Sequence, residues 1–370
     1  MDSMIFELKF LTIYELSIPY HVAFSPAKDD KNTPRIFWVN VQTADGSNGF
    51  GEFCLNPLSK VSSIESAINF VNQFREQWLD TIHSLDHLFK WIAEHKNLID
   101  SMPELFCAIE SAILEVLAKH QKTDVATMLG ITGRRHIKEI AILRKTRLEK
   151  FMLQLSLYDH HKPDGYKMEL DGHLTPDSLK LNFLSNIETR YLGFNANNLW
   201  DSADAVAKYI NSLPVQPDYV ENALNDDNPD SYVKLASMLN SHIVIDESCL
   251  VSHNSQLWLE NNDNFILNLR VPRAGGIIRT LNLLQHTEKS GCRILIGDTI
   301  GETSLSIKTS QLAAHAAQRN LVGHETTYSI YMFNEELYRA SISTSSNDLK
   351  FNTSGLENGN NISTHIKAIA

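Results

Sequence analysis

Several short apolar runs of this sequence carry, at or near their ends, residues able to do chemistry. Tyr166 to Leu170 holds Lys167 and Glu169, Tyr191 to Asn195 ends in Asn195, Tyr219 to Glu221 in Glu221, His242 to Asp246 in Asp246, and Phe265 to Arg270 in Arg270. About 28 residues separate Lys167 from Asn195, and the next three steps are each about 25. One strand, one helix and two loops need roughly that length, as in a barrel of about 250 residues built from eight such units. The C-terminal ends of barrel strands converge, so these residues are expected to meet in space. Lys167 and Glu169 share one side of a strand, because the strand period is two. Arginine stays protonated, which makes Arg270 a poor base and a good partner for a carboxylate or an enolate. Glu169 is able to act as a base if burial raises its pKa. Plainer readings stand beside these: Glu221 and Asp246 as surface charges, Asn195 as a helix cap, and Lys167 with Glu169 as a structural ion pair.

Eight apolar runs supply the framework. They are Glu139 to Leu143, Tyr166 to Leu170, Tyr191 to Asn195, Tyr219 to Glu221, His242 to Asp246, Phe265 to Arg270, Arg293 to Ile296 and Asn320 to Gly323, alternating with helical segments. Before them, Phe6 to Leu16, Ile36 to Val41 and Gly49 to Phe53 read as strands, with Asp45-Gly46 as a hairpin turn. Phe24 to Pro34 is a polar loop between the first two. Ser63 to Trp78, Leu85 to His95 and Pro103 to Lys119 have helical spacing; in the last, Leu105, Ile109, Ala112, Ile113, Val116 and Leu117 form one stripe. The expected fold is α/β: a TIM-type (β/α) barrel with an N-terminal α+β capping domain. The expected divisions are 1–135 for the cap, 136–330 for the barrel, and 331–370 for a C-terminal segment packing back on the cap.

Within this framework the sequence resembles the enolase superfamily, in its muconate-lactonising and mandelate-racemase-like branch. Gly46 to Glu52 (GSNGFGE) is similar to the family's "DG..GWGE" hairpin, and Ala108 to Glu115 (AIESAILE) to its "AiExAlwD" helix. Thr127 to Gly130 falls at "LLG", Tyr166 to Leu170 at "KxK", Gly193 to Asn197 at "vDaN" and Tyr219 to Glu221 at "iEqP". Ile243 to Ser248 (IVIDES) matches "iaaDEs", Leu269 to Gly276 (LRVPRAGG) matches "lKxsrxGG", and Gly297 to Ser304 resembles the "G...Es.ig" turn, which places Glu302 at the family's glutamate. No single match is specific; the ordered series over most of the chain carries the weight.

The resemblance implies a Mg2+ site, with Mn2+ as a substitute, built from three acidic strand ends; the ion holds a substrate carboxylate and stabilises the enediolate left when the α-proton departs. Carried over, Glu221 and Asp246 match two metal ligands, while Asn195 stands in place of the third, an Asp, and weakens the site. Lys167 matches the first lysine of the pair. Glu169 replaces the second, usually the base, and Arg270 replaces the lysine of the opposite face. Two-base racemisation is therefore disfavoured. At the eighth strand, dipeptide epimerases carry "DxD", and this chain has His324-Glu325-Thr326, which disfavours dipeptide epimerisation and offers His324 as an acid or base. The catalytic set expected is Lys167, Glu169, Arg270, Glu302 and His324. Asp298 reads as a turn residue, Gly275-Gly276 as a turn before a helix with no nucleotide role, and His160-His161 as solvated loop.

The leading functional expectation is metal-assisted proton abstraction α to a carboxylate by a one-base isomerase or lyase of cycloisomerase or dehydratase type. The alternatives are a metal-impaired homologue serving as a binding protein, and altered, metal-independent chemistry. The bulk composition is compatible with each. With 370 residues, 43% of them hydrophobic, the chain can bury a large core. The net charge of −11 comes with scattered basic residues, so a nucleic-acid surface is not expected. Cys54, Cys107, Cys249 and Cys292 form no CxxC pair and read as free thiols. The start, MDSMIFELKF, lacks a signal-peptide pattern, and no apolar run approaches membrane-spanning length. A cytoplasmic protein acting on a small carboxylate is expected, with no membrane partner; the resemblance also allows a homo-oligomer.

Overall fold

The structure, a computed structural model, describes residues 6–24, 34–56, 59–132, 136–159, 162–187, 191–225, 228–246, 264–299, 301–317, 319–325, 332–333 and 366–369. Cys249, the His160-His161 pair, most of the 24–34 loop and most of the 331–370 segment lie outside these residues.

The first layer is a four-stranded antiparallel sheet. Strands β1 (Leu8–Leu16), β2 (Arg35–Thr43) and β3 (Asn48–Leu55) run in order, and a late strand, Ile366–Ala368, pairs antiparallel with β1. Gly46 turns the β2–β3 hairpin at φ 86, the left-handed region that glycine enters without steric cost. Helix Pro103–His120 lies across the sheet. A Cβ on Gly49 or Gly51 would come within 2.0 Å or 1.8 Å of the carbonyl oxygens of Ala112 and Ala108. The two glycines of the GFGE hairpin are therefore what let helix and sheet backbones touch. A six-residue helix, Lys96–Ser101, precedes it and is too short to show a periodic signal in sequence.

The second unit is a barrel of eight parallel strands: β4 (Ile140–Leu143), β5 (Gly165–Glu169), β6 (Leu192–Asn195), β7 (Tyr219–Glu221), β8 (His242–Ile245), β9 (Phe265–Leu269), β10 (Arg293–Ile296) and β11 (Leu321–His324). They pair in chain order. The ring closes through a parallel bridge between Glu139 and His324, and the His324 backbone N–H donates to Lys138 O at 2.8 Å. Each apolar run read as a strand in sequence forms one. Ile140, Tyr219, Val244, Ile266 and Leu295 make an apolar layer inside the barrel. Tyr219 fits because β6 offers it a glycine: a Cβ on Gly193 would sit 2.0 Å from its ring.

Two buried carboxylates fasten cap to barrel. Glu110, from the AIESAILE helix, accepts the backbone N–H groups of Ile277 (2.5 Å) and Ile278 (3.3 Å) at the start of helix Ile277–Ser290. Those N–H groups have no partner within their own helix. Glu52, from the hairpin, accepts from Thr303 N, Thr303 Oγ1, Ser306 Oγ and Trp38 Nε1 at 2.5–3.0 Å. Cys54, Cys107 and Cys292 are buried free thiols. Among the described residues no helix is long and apolar enough to cross a membrane.

Candidate active site

The strand-end residues converge. Lys167 Nζ lies 2.5 Å from Glu221 Oε2 and also bonds Glu325 Oε1. Arg270 Nη1 bonds Asp246 Oδ1, and its Nη2 stands 3.4 Å from Glu221 Oε1. The result is a chain of alternating charge, Glu325–Lys167–Glu221–Arg270–Asp246, drawn from β5, β7 and the C-terminal ends of β8, β9 and β11. All five side chains are buried; Lys167 is 1% and Glu221 0% exposed. Asn268 adds an amide donor to Glu221 Oε1 at 2.6 Å. Asn222, held left-handed at φ 47, donates to Asp246 Oδ2 at 3.2 Å. The Arg270 Nε is anchored on the carbonyl of Asp298 at 3.0 Å.

The network sets the protonation of its members. Burial works against charge on Lys167, but Glu221 and Glu325 outweigh it and hold the ammonium above its ordinary pKa. Burial likewise opposes charge on Arg270, and Asp246 and Glu221 reverse it. Burial tends to raise the carboxyl of Asp246, yet Arg270 holds it below the usual range. Glu325 is pushed up to about 7, first by burial and then by Glu221, against the pull of Lys167. Its Oε2 is buried with no hydrogen-bond partner among the described residues. Glu325 is absent from the residues expected from sequence, where the acid–base candidate at this strand end is its neighbour His324.

The other expected site residues are held outside this charge chain. His324 turns to the outside of the barrel, where Nε2 meets Ser310 Oγ of helix Ser304–Ala316 at 3.0 Å; burial drives its pKa down to about 3, so it is neutral. Successive strand residues face opposite ways, which is why Glu325 points inward. Glu302 accepts from Thr299 N at 2.7 Å within its own turn, and burial lifts it to about 8. Glu169 sits at the rim, accepting from Lys145 N at 2.8 Å and facing Arg144 at 3.4 Å, outside the Lys167 network. Asn195 Oδ1 accepts from Asn197 N at 2.9 Å, a turn contact within its own segment.

These contacts decide whether a divalent ion fits. Both oxygens of Glu221 and both of Asp246 accept from cationic or amide donors, and the Asn195 carbonyl is committed to its own backbone. No group of three or more His, Cys, Asp or Glu side chains among the described residues is disposed to hold a metal. A divalent ion about 4 Å from one of the two cations would be repelled by about 8 kcal/mol at an effective dielectric of 20. The side chains as arranged do not fit Mg2+.

Beside the network, a cavity of about 1390 Å³ opens between cap and barrel. Asn197, Asn222, Asp246 and Arg273 line it from the barrel, and Ile92 and Glu104 from the cap. It gives a small molecule access to the Asp246 end of the charge chain.

A closed eightfold barrel, a separate antiparallel cap and a polar cluster at the strand ends define an enolase-type architecture. Residues 185–353 match the family described as "Enolase C-terminal domain-like". A hydrophobic dipeptide epimerase of Enterococcus faecalis V583 is 28% identical over 132 residues, 35% of this chain and 36% of that protein's length. In fold, the chain resembles a mandelate racemase/muconate lactonizing enzyme from Roseiflexus sp. (TM-score 0.77, 16% identity, 98% of each chain covered). It also resembles the E. faecalis dipeptide epimerase complexed with Mg and the dipeptide L-Leu-L-Tyr (TM-score 0.72, 18% identity, 91% of this chain and 95% of that one). The chain is thus similar to the enolase superfamily in two ways: by the family match over residues 185–353, and by a fold shared with structures of its mandelate-racemase and muconate-lactonizing branch.

Proposed function

We propose that the chain is a cytoplasmic isomerase or lyase that binds a small carboxylate at the barrel mouth and moves its α-proton with one base. The observation that carries this reading is the convergence of Lys167, Glu221, Asp246 and Arg270 in one buried network beside the cap–barrel cavity. Pre-set charges in a water-poor site stabilise negative charge developing on a substrate. Lys167 and Arg270 supply that field, and neither gives up its proton readily. Glu169 is the base: it lies on the Lys167 side of β5, nearer the rim, and is released by breaking its contacts with Arg144 and Lys145. Arg270, held protonated, cannot accept a proton as a second base would, so the reaction is one-sided.

The relatives that act on dipeptides make dipeptides the first compounds to try, followed by N-acyl amino acids and hydroxy acids. Mg2+ or Mn2+ at Asn195, Glu221 and Asp246 would first have to displace Arg270, and Asn195 would weaken its hold; no step is routed through it. In this reading the cap, 1–135, roofs the site that the barrel, 136–330, carries, and of the segment 331–370 the strand Ile366–Ala368 returns to the cap.

Deuterium wash-in at the α-carbon, followed by proton NMR in D2O with EDTA present, tests the reading. Exchange that falls by roughly 10²–10⁴ in Glu169→Gln supports it. Exchange unchanged by that substitution refutes the assigned base. A second reading, a binding protein on the same scaffold, is favoured by the full pairing of Glu221 and Asp246; carboxylate binding with no exchange of any bound compound would establish it.

A further inference from the structure

We propose that the Arg270 guanidinium is a permanent, built-in cation occupying the space between Glu221 and Asp246, so that the site meets its carboxylate ligand without a divalent ion. The inference concerns the site of the proposed function and rests on that site's being the functional one. Three independent contacts fix the guanidinium: Nε on the Asp298 carbonyl, Nη1 on Asp246, and Nη2 facing Glu221. Arg270 is 8% exposed, so the charge is removed from bulk water, where such a pair is worth little, into surroundings where it dominates.

The charge count supports the same assignment. Glu221 and Asp246 carry two negative charges, and Lys167 and Arg270 match them one for one. The remaining member, Glu325, shares Lys167 with Glu221 and touches neither Arg270 nor Asp246 in the ion pairs of the network. A hard divalent ion needs several oxygen ligands. Here each oxygen of Glu221 and Asp246 already accepts from a cationic or amide donor, and Asp246 is flanked by Asn222 at Oδ2 and by the Arg270 guanidinium at Oδ1, which a cation would have to displace. With a cation already in place, a third carboxylate at position 195 is not needed, and the Asn195 side chain accepts instead from its own turn at Asn197 N.

Mn2+ binding followed by electron paramagnetic resonance tests this without any turnover assay, so its outcome is separate from that of the wash-in experiment. The purified full chain is titrated with Mn2+ alongside Asn195→Asp, Arg270→Gln, and the charge-balanced Arg270→Gln/Glu325→Gln, which keeps a folded test available if the single change unfolds. The expected result is no saturable site below millimolar Mn2+ in wild type, no more than about threefold change in Asn195→Asp, and a gain of at least roughly tenfold in a folded Arg270→Gln background. Tight Mn2+ binding by wild type would overturn the inference. So would restoration by Asn195→Asp alone, or no gain in either folded Arg270→Gln protein.

Discussion

Replacing Lys167 by methionine removes the cation that Glu221 and Glu325 share. Methionine fills similar volume, so the change is electrostatic rather than a cavity. Breaking a buried pair by deleting one partner costs about 3–5 kcal/mol, because the remaining charge is stranded. Two carboxylates are affected, but not equally. Glu325, already pushed up to about 7, protonates when the ammonium is gone and ceases to be a stranded charge. Glu221 keeps Asn268 and Arg270. The loss at neutral pH therefore falls near the lower end, about 3 kcal/mol, a large fraction of the 5–15 kcal/mol typical of a folded domain. Glu325→Gln alone loses a hydrogen bond to a charged group and costs about 1.5–3 kcal/mol. On the Lys167→Met background it costs nearly nothing, since Glu325 is neutral there. Urea unfolding by tryptophan fluorescence measures the four proteins of this cycle. A Lys167→Met cost below about 1 kcal/mol, the range of exposed ion pairs, would refute the burial and pairing on which the reasoning stands.

The Glu110 carboxyl is raised to about 8 by burial, against the pull of the Ile277 and Ile278 N–H groups. Its contribution to stability is thus fully present below its unfolded pKa of about 4.3 and is lost as pH rises through about 8. Glu110→Gln should flatten that decline, read as the difference in urea midpoint between pH 5 and pH 8. Gly193→Ala places a methyl against the Tyr219 ring and should destabilise by about 1–3 kcal/mol through overpacking, visible as a lowered thermal midpoint. His324→Gln should lower stability modestly through the Ser310 contact yet leave α-proton exchange and carboxylate binding unchanged; loss of exchange in a stably folded variant would place His324 in the chemistry after all.

The barrel was legible because its signal is long-ranged and repeated: apolar runs at intervals near 25 residues have few other uses. Glu221, Asp246, Arg270 and Lys167 were legible for the same reason, as polar ends of such runs. What the sequence did not disclose is pairwise. Nothing in the order of residues says that the Arg270 side chain turns toward Asp246, or that Lys167 chooses Glu325 over Glu169. That choice depends on distances across the barrel and on which carboxylate is more deeply buried. Glu325 is hidden by a period-two ambiguity: at a strand end one residue faces in and the next faces out, and the order of residues does not say whether His324 or Glu325 turns inward. Asn268 was masked by the apolar run around it. The two cap carboxylates, Glu52 and Glu110, sat in recognised motifs, but their partners in the barrel lie 251 and 167 residues away.

The most direct test of the account is a crystal structure of the full chain soaked in Mn2+, with anomalous data at the manganese edge. The account predicts no peak between Glu221 and Asp246, the Arg270 guanidinium in that space, and Lys167 bridging Glu221 and Glu325. A strong peak there with Arg270 swung away, or these side chains dispersed over separate surfaces, would contradict it.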